Sequence, residues 1–280
     1  MQKQVLAIHD MSCVGRCSLT VALPVLSAAG IHTSVLPTAV LSTHTGEFTG
    51  YTNLDLTEEM GKIAAHFATL PLHFDGLYTG FLGSHEQICL VSDVLRRYQG
   101  EGVLTLVDPV MADHGKLYAT YTPEMAADMG QLCALADVIV PNLTEAAILL
   151  GEPYHPEPGE TKVQQMLEAL AAKYGCRHVI ITGIRQGDHY GAASLDAAQG
   201  RFGFAGAAPL QEVFYGTGDV FASALLGALL VGKDTETATQ LAVDFTHDSM
   251  VHTLQNGLPL RYGVAFEQAL PGYIHGLGLL

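Results

Sequence analysis

Short apolar runs and helical apolar spacings alternate along nearly the whole chain. Val5–Ile8 reads as a buried strand, followed by a helix over Ser18–Ala29 that Gly30 ends. The β-branched stretch Ile31–Val40 comes next, then a helix over Thr57–Leu70 with Thr57 as N-cap and two acids in its first turn. Asp75–Phe81 (strand), Ser84–Tyr98 (helix) and Val103–Val107 (strand) continue the alternation. Thr122-Pro123 opens a helix with proline at its first position. Val138–Val140 is a strand, and Asn142 starts the helix after it. Thr161–Tyr174 is a helix and His178–Thr182 a strand. Tyr190–Leu195 and Arg201–Ala205 read as a hairpin-like pair. A loop from Tyr215 runs into a helix ending near Gly232, and Thr235–Asn256 is the last large helix. The alternation predicts an α/β fold, a largely parallel sheet with helices on both faces. No repeat or low-complexity linker interrupts it, and Glu152–Glu160 reads as a surface loop, so one domain over 1–280 is expected. In such sheets ligands sit beyond the carboxyl ends of the strands.

The strongest chemical signal is Gly216-Thr217-Gly218-Asp219, ahead of the small-residue helix Val220-Phe221-Ala222-Ser223-Ala224. Two glycines allow a tight turn whose amides converge, and the helix adds its positive end. An anion could be held there without Lys or Arg. Asp219, in the first turn, could take a proton from a hydroxyl, although a first-turn Asp is also plain helix chemistry.

Two further strand ends carry acids: Asp108-Pro109-Val110-Met111-Ala112-Asp113 and Pro141-Asn142-Leu143-Thr144-Glu145. Carboxylates on one sheet edge suit Mg²⁺, which keeps several waters and takes few protein ligands. Glu145 also has capping-box spacing from Asn142, and Asp113 suits a solvated loop. His9-Asp10-Met11-Ser12 ends the first strand, and Ser42-Thr43-His44-Thr45-Gly46-Glu47-Phe48 follows the second; either could orient a small polar ligand. Gly227–Lys233 imitates a Walker A start, but Asp234 replaces the Ser/Thr and the segment ends a helix instead of preceding one. No third glycine completes a dinucleotide fingerprint, and the sequence holds no HExxH and no GxSxG.

Charge narrows the partners. With 13 Lys+Arg against 28 Asp+Glu, the formal charge is −15. Phosphate-tracking nucleic-acid binders and polybasic membrane binders are thereby disfavoured. The apolar runs are too short or interrupted for a bilayer span, and the start lacks a signal-peptide pattern. Five cysteines without a CxxC pair fit reduced thiols in a cytoplasm.

Ser42–Thr45, Thr79–Ser84, Asp108–Met111, Pro141–Glu145 and Gly216–Asp219, in this order, make the whole chain resemble the ribokinase-like superfamily and within it the pyridoxal kinases. The resemblance implies a three-layer sandwich. It also implies transfer of the ATP γ-phosphoryl to the 5′-hydroxymethyl of pyridoxal, pyridoxine or pyridoxamine. Asp219 is similar to the family's base, and Gly216, Thr217 and Gly218 to its anion hole. Asn142, Thr182 and Asp108 match nucleotide positions, and Asp113 and Glu145 positions near Mg²⁺. Asp10, Ser12, His44, Thr45 and Phe81 fall on the ring side. ATP and Mg²⁺ are implied, with K⁺ as a candidate monovalent ion, and so is a homodimer. Three features depart from the pattern: Asp10 replaces a usual Ser, the loop after Thr45 is short, and Phe81 replaces a usual Tyr. Asp10-Met11-Ser12 resembles hydroxymethylpyrimidine kinases instead, whereas those usually carry Cys at position 219. A pyrimidine kinase and a non-catalytic B6- or nucleotide-binding protein are the alternatives. A sugar kinase is disfavoured, because no lid strands are read between residues 10 and 50.

Overall fold

The computed structural model describes residues 2–280. The first half of the chain runs β1 (Gln4–Val14), α1 (Leu19–Ala28), β2 (His32–Thr43), β3 (Asn53–Asp55), α2 (Thr57–Phe67), β4 (Gly76–Thr79), α3 (His85–Tyr98) and β5 (Leu104–Val107). A small hairpin of β6 (Ala112–Asp113) and β7 (Lys116–Leu117) leads to α4 (Pro123–Cys133), β8 (Val138–Ile139), α5 (Leu143–Leu150) and α6 (Glu160–Tyr174). Then come β9 (His178–Gln186), β10 (His189–Asp196), β11 (Arg201–Ala207), α7 (Thr217–Leu230), α8 (Thr235–Gln255) and α9 (Leu270–Leu277).

The nine-stranded sheet has the order β11-β10-β9-β8-β5-β4-β1-β2-β3. From β2 through β9 neighbouring strands are parallel; only β3, β10 and β11 pair antiparallel. Each face of the sheet buries its own apolar layer. One holds Met60, Ile88, Val91, Leu132, Leu143 and Leu167 from α2–α6; the other holds Val21, Val25, Val220, Leu225, Ala238 and Tyr273 from α1 and α7–α9. This is the expected three-layer α/β sandwich. The chain moves outward from β1 to β2 and β3, then returns to β4 on the other side of β1. That reversal opens a crevice at the carboxyl ends of β1 and β4, where open α/β sheets bind ligands.

Several local expectations change. β1 does not stop at Ile8: it continues through the polar residues to Val14 and stays paired with β2 up to Thr43. The strands that the sequence reading did not find between residues 10 and 50 therefore exist, as extensions of β1 and β2 within the main sheet, with β3 at its edge. The register slips between His9 and Met11, where Pro37 of β2 lies opposite His9. Proline has no N–H to give the ladder, and a bulge is where a sheet tolerates it. Thr57 is not the N-cap of α2. Leu56 occupies that place, and Asp55 accepts the Thr57 N–H at 2.8 Å. Helix α9 and the β6–β7 hairpin lie in stretches that carry no clear period.

Candidate active site

Helix α7 starts where sterics allow only glycine. Gly216 has φ 73°, and a Cβ there would lie 2.1 Å from the Arg16 carbonyl oxygen. The first helical bond runs from the Val220 N–H to the Gly216 carbonyl. The amides of Thr217, Gly218 and Asp219 precede it and have no acceptor within the helix, so this end can take an anion. Gly218 is exposed, and a Cβ on it would come within 4.0 Å of Asp108 Oδ2. The glycine-entered helix and the acid at the end of β5 therefore share one corner.

Asp219 is half-buried, and its Oδ2 accepts the Ser18 N–H at 2.8 Å. Burial pushes its pKa up to about 7; the Ser18 bond opposes this and the charge of Asp10 adds to it. A base with that value is well matched to proton transfer near neutrality. Asp10 is buried on β1, and the Ser18 and Ser12 hydroxyls donate to its two oxygens at 2.6 and 3.3 Å. Its carboxyl is raised, with burial outweighing those bonds. Ser18 itself is strained, with φ 55° and ψ −128°, a departure costing on the order of 1–3 kcal/mol that tends to persist at functional sites.

Asp108 is 8% exposed, and burial together with the charges of Glu145 and Asp219 lifts its pKa far above the carboxylate range. Beside it Val110 is forced to φ 24°, unusual for a β-branched residue. Glu145 is buried and bound to backbone. Oε1 accepts from Met111 (2.9 Å) and Ala112 (3.4 Å), and Oε2 from Asn142 (2.8 Å). Asn142 completes the capping box by accepting the Glu145 N–H at 3.0 Å, and its Nδ2 donates to Ala112 O at 2.7 Å. Thr182 bridges to Asn142 across the strand ends. Asp113 is exposed and turns to its own neighbour, accepting the His114 N–H at 2.7 Å. Among the described residues no group of three or more His, Cys, Asp or Glu side chains is arranged to hold a metal.

On the opposite flank His44 is buried, Gly46 N–H donates to its Nδ1 at 3.1 Å, and Nε2 meets Arg261 O at 2.5 Å. Nδ1 is thus the acceptor and Nε2 carries the proton. With both nitrogens engaged, His44 offers a ligand only its ring, which stacks on Tyr215 and meets Phe48 edge-on. Thr45 is exposed beside it, and Phe81 is half-buried against Tyr121.

The structure thus gathers Asp10, Ser12, Asp108, Asn142, Glu145, Thr182 and Gly216–Asp219 around one sheet edge. His44, Thr45 and Phe81 lie on flanking loops and Asp113 on an exposed one. Sequence reasoning missed Ser18, which it read as an ordinary helix start, and the Tyr215–Arg261 bracing of the His44 loop. His9, read as the start of a ligand-orienting cluster, is instead fully buried against Tyr78 with no hydrogen-bond partner for either nitrogen and a pKa driven down to about 3 by burial. None of these has a local sequence signal; each depends on a contact between distant segments.

Solved structures share this architecture over nearly their whole length. A pyridoxal kinase from Lactobacillus plantarum is 34% identical, with TM-score 0.89, covering 98% of this chain and 97% of its own. A "putative phosphomethylpyrimidine kinase" from Bacteroides thetaiotaomicron, in a form with pyridoxal, is 36% identical with TM-score 0.92, covering 98% and 96%. The class is therefore a kinase of ribokinase-like fold. The phosphomethylpyrimidine kinase family model matches residues 21–261, and the chain belongs to that family. A pyridoxine/pyridoxal/pyridoxamine kinase from Bordetella avium is 27% identical over 262 residues, 84% of this chain and 80% of that protein. The match to a Schizosaccharomyces pombe relative spans only 57% of that relative.

Proposed function

We propose that this chain is a single-domain, ATP-dependent kinase that phosphorylates the 5′-hydroxymethyl of pyridoxal, pyridoxine or pyridoxamine. The observation that carries the reading is Asp219: a carboxylate with pKa near 7, oriented by Ser18 at the open end of a glycine-entered helix. Asp219 takes the proton of the substrate hydroxyl as that oxygen attacks the γ-phosphorus. The amides of Gly216, Thr217 and Gly218 hold the charge that builds on the transferring phosphoryl. Asn142 and Thr182 border the nucleotide, with Asp108 facing its phosphates. Asp10, Ser12, Thr45 and Phe81 border the ring, and His44 braces the loop beside it.

The acids fit a divalent ion. Asp108 is a buried carboxyl crowded by two like charges, a position that a cation would relieve. Glu145 already accepts three backbone amides, so it and Asp113 would act largely through water, as Mg²⁺ sites allow. Mg²⁺, with K⁺ as a candidate companion, supplies charge neutralisation at the phosphates when bound. A cytoplasmic homodimer completes the proposal, and a monomer on gel filtration at micromolar concentration would overturn that part.

The test is a panel of pyridoxal, pyridoxine, pyridoxamine and hydroxymethylpyrimidine with Mg·ATP, run on wild type and Asp219→Asn. Turnover of a B6 vitamer that Asp219→Asn abolishes supports the reading. Turnover of the pyrimidine alone would favour the second reading, a hydroxymethylpyrimidine kinase, for which the buried acceptor Asp10 speaks. Ligand binding without turnover would identify a binding protein.

A further inference from the structure

Ser18 adopts the geometry of the first central position of a type II′ turn, which glycine takes freely and other residues do not. It occupies the N-cap of α1, yet its hydroxyl makes no bond to that helix. The hydroxyl donates instead to Asp10 Oδ1 at 2.6 Å, while the backbone N–H donates to Asp219 Oδ2 at 2.8 Å. Glycine would supply the backbone bond equally well and without strain. Only the bond to Asp10 requires serine.

Asp10 is 5% exposed, and both hydroxyls reaching it are donors. They support its ionised form against burial. Facing it are Ser12 on its own strand, Cys17 and Ser18 from the turn before α1, His44 from the loop after β2, and Asp219 from α7. An ionised carboxylate only accepts hydrogen bonds, and with about four acceptor positions it keeps at least one free beyond the two hydroxyls and its own backbone amide. Such a group recognises a donor on the ligand.

We infer that Ser18 is a positioning residue with two separable jobs: its N–H aims Asp219 at the reacting hydroxyl, and its hydroxyl holds Asp10 as the acceptor that selects a heteroaromatic alcohol by a hydroxyl or amino donor on the ring. This rests on the proposed function and names the ring group by which the site recognises its substrate. The two jobs belong to different kinetic parameters. Aiming the base acts in the transition state, whereas ring recognition acts on binding.

The experiment compares wild type, Ser18→Gly and Ser18→Ala, using pyridoxine and its 3-O-methyl ether with Mg·ATP. Wild type should prefer the free phenol over the ether by about 10–100-fold in kcat/KM, because a site built for a donor rejects an analogue without one. Ser18→Gly keeps the N–H and relieves the backbone. Its kcat for pyridoxine should stay within about twofold, KM should rise roughly fivefold, and the preference for the phenol should fall to about threefold or less. Ser18→Ala keeps the N–H and the strain without the hydroxyl, so it should match Ser18→Gly in kcat, KM and lost phenol preference but unfold at a lower temperature. An unchanged phenol preference in Ser18→Gly, or a kcat loss there with KM unchanged, overturns the assignment. Should wild type phosphorylate no ring alcohol at all, the functional reading fails, and thermal unfolding decides on Ser18. A Ser18→Ala protein as stable as Ser18→Gly would then overturn the inference.

Discussion

The two carboxylates with pKa pushed up to about 7, Asp219 and Glu145, both bear on Asp108 and are wired differently. Burial dominates both shifts. Glu145, however, is gripped by three backbone amides and returns a capping box to Asn142. Asp219 accepts one amide, from a strained turn. The same shift therefore accompanies two roles. Glu145 is a bracket that fixes the 110–112 segment and the start of α5. Asp219 is held at one oxygen beside solvent-open Gly218, where it can exchange a proton with a ligand. A raised pKa marks a candidate; the number and kind of its hydrogen bonds say whether the group is free to react.

The sharpest way to break this contrast is to remove the proton acceptor without changing its shape. Asp219→Asn should lower kcat by roughly 10²–10⁴-fold, the range for general acid–base groups. Wild-type kcat should rise with pH through about 7, as Asp219 ionises. Steady-state assays from pH 5.5 to 8.5 check both, and near-wild-type kcat in the variant would return Asp219 to a structural role. Glu145→Ala should instead act on the fold. It strands buried donors at Met111 and Asn142, each costing on the order of 1–3 kcal/mol. Denaturant unfolding should show that loss, and KM for Mg·ATP should rise as the 110–112 segment loosens. A stable Glu145→Ala protein with wild-type KM would refute the bracket.

A smaller effect separates the groups by pH. The folded-state pKa of Asp219 lies above its unfolded value, so its contribution to stability is complete below about pH 4 and is lost as pH rises through about 7. Glu145 follows the same sign. His9 has the opposite one: its value falls to about 3, so its contribution is complete above the unfolded imidazole pKa of about 6.5 and is lost as pH falls toward 3. Asp219→Asn should therefore raise Tm by roughly 2–4 °C at pH 8, where the native carboxylate is charged, and change it little at pH 5. The same Tm difference at both pH values would mean that Asp219 is not perturbed.

How far the sequence could be read follows from the range of the forces involved. Capping residues, helix periods and the Gly216–Asp219 turn act within a few positions, so Asn142, Ser84, Thr122 and the start of α7 were all legible. β1 was cut short because Asp10 and Ser12 break its apolar run; Asp10 is buried with the hydroxyls of Ser12 and of Ser18, eight residues on, donating to its two oxygens, a pairing that no hydrophobic period reports. The N-cap role of Thr57 failed because Asp55, two residues upstream, takes the Thr57 N–H. His9 and Ser18 owe their environments to contacts with Tyr78 and Asp219, which no local pattern reports.

The mildest probe lies on the flank that neither carboxylate controls. His44 joins three segments: its own loop through Gly46, the stretch before α7 through Tyr215, and the Arg261 carbonyl before α9. Arg261 in turn lies over Phe48, 5.3 Å from the ring centroid. His44→Ala deletes two hydrogen bonds and a stacked ring while touching neither Asp219 nor Glu145. The loop then has to be ordered by the ligand, a cost that appears in binding. KM for the ring substrate should rise about 3–10-fold with kcat within about twofold, because an interaction shared by ground and transition states changes KM alone. Initial-rate kinetics at saturating Mg·ATP measure the split. A matching fall in kcat would show that His44 reaches the reacting atoms, and the contrast would then involve three groups instead of two.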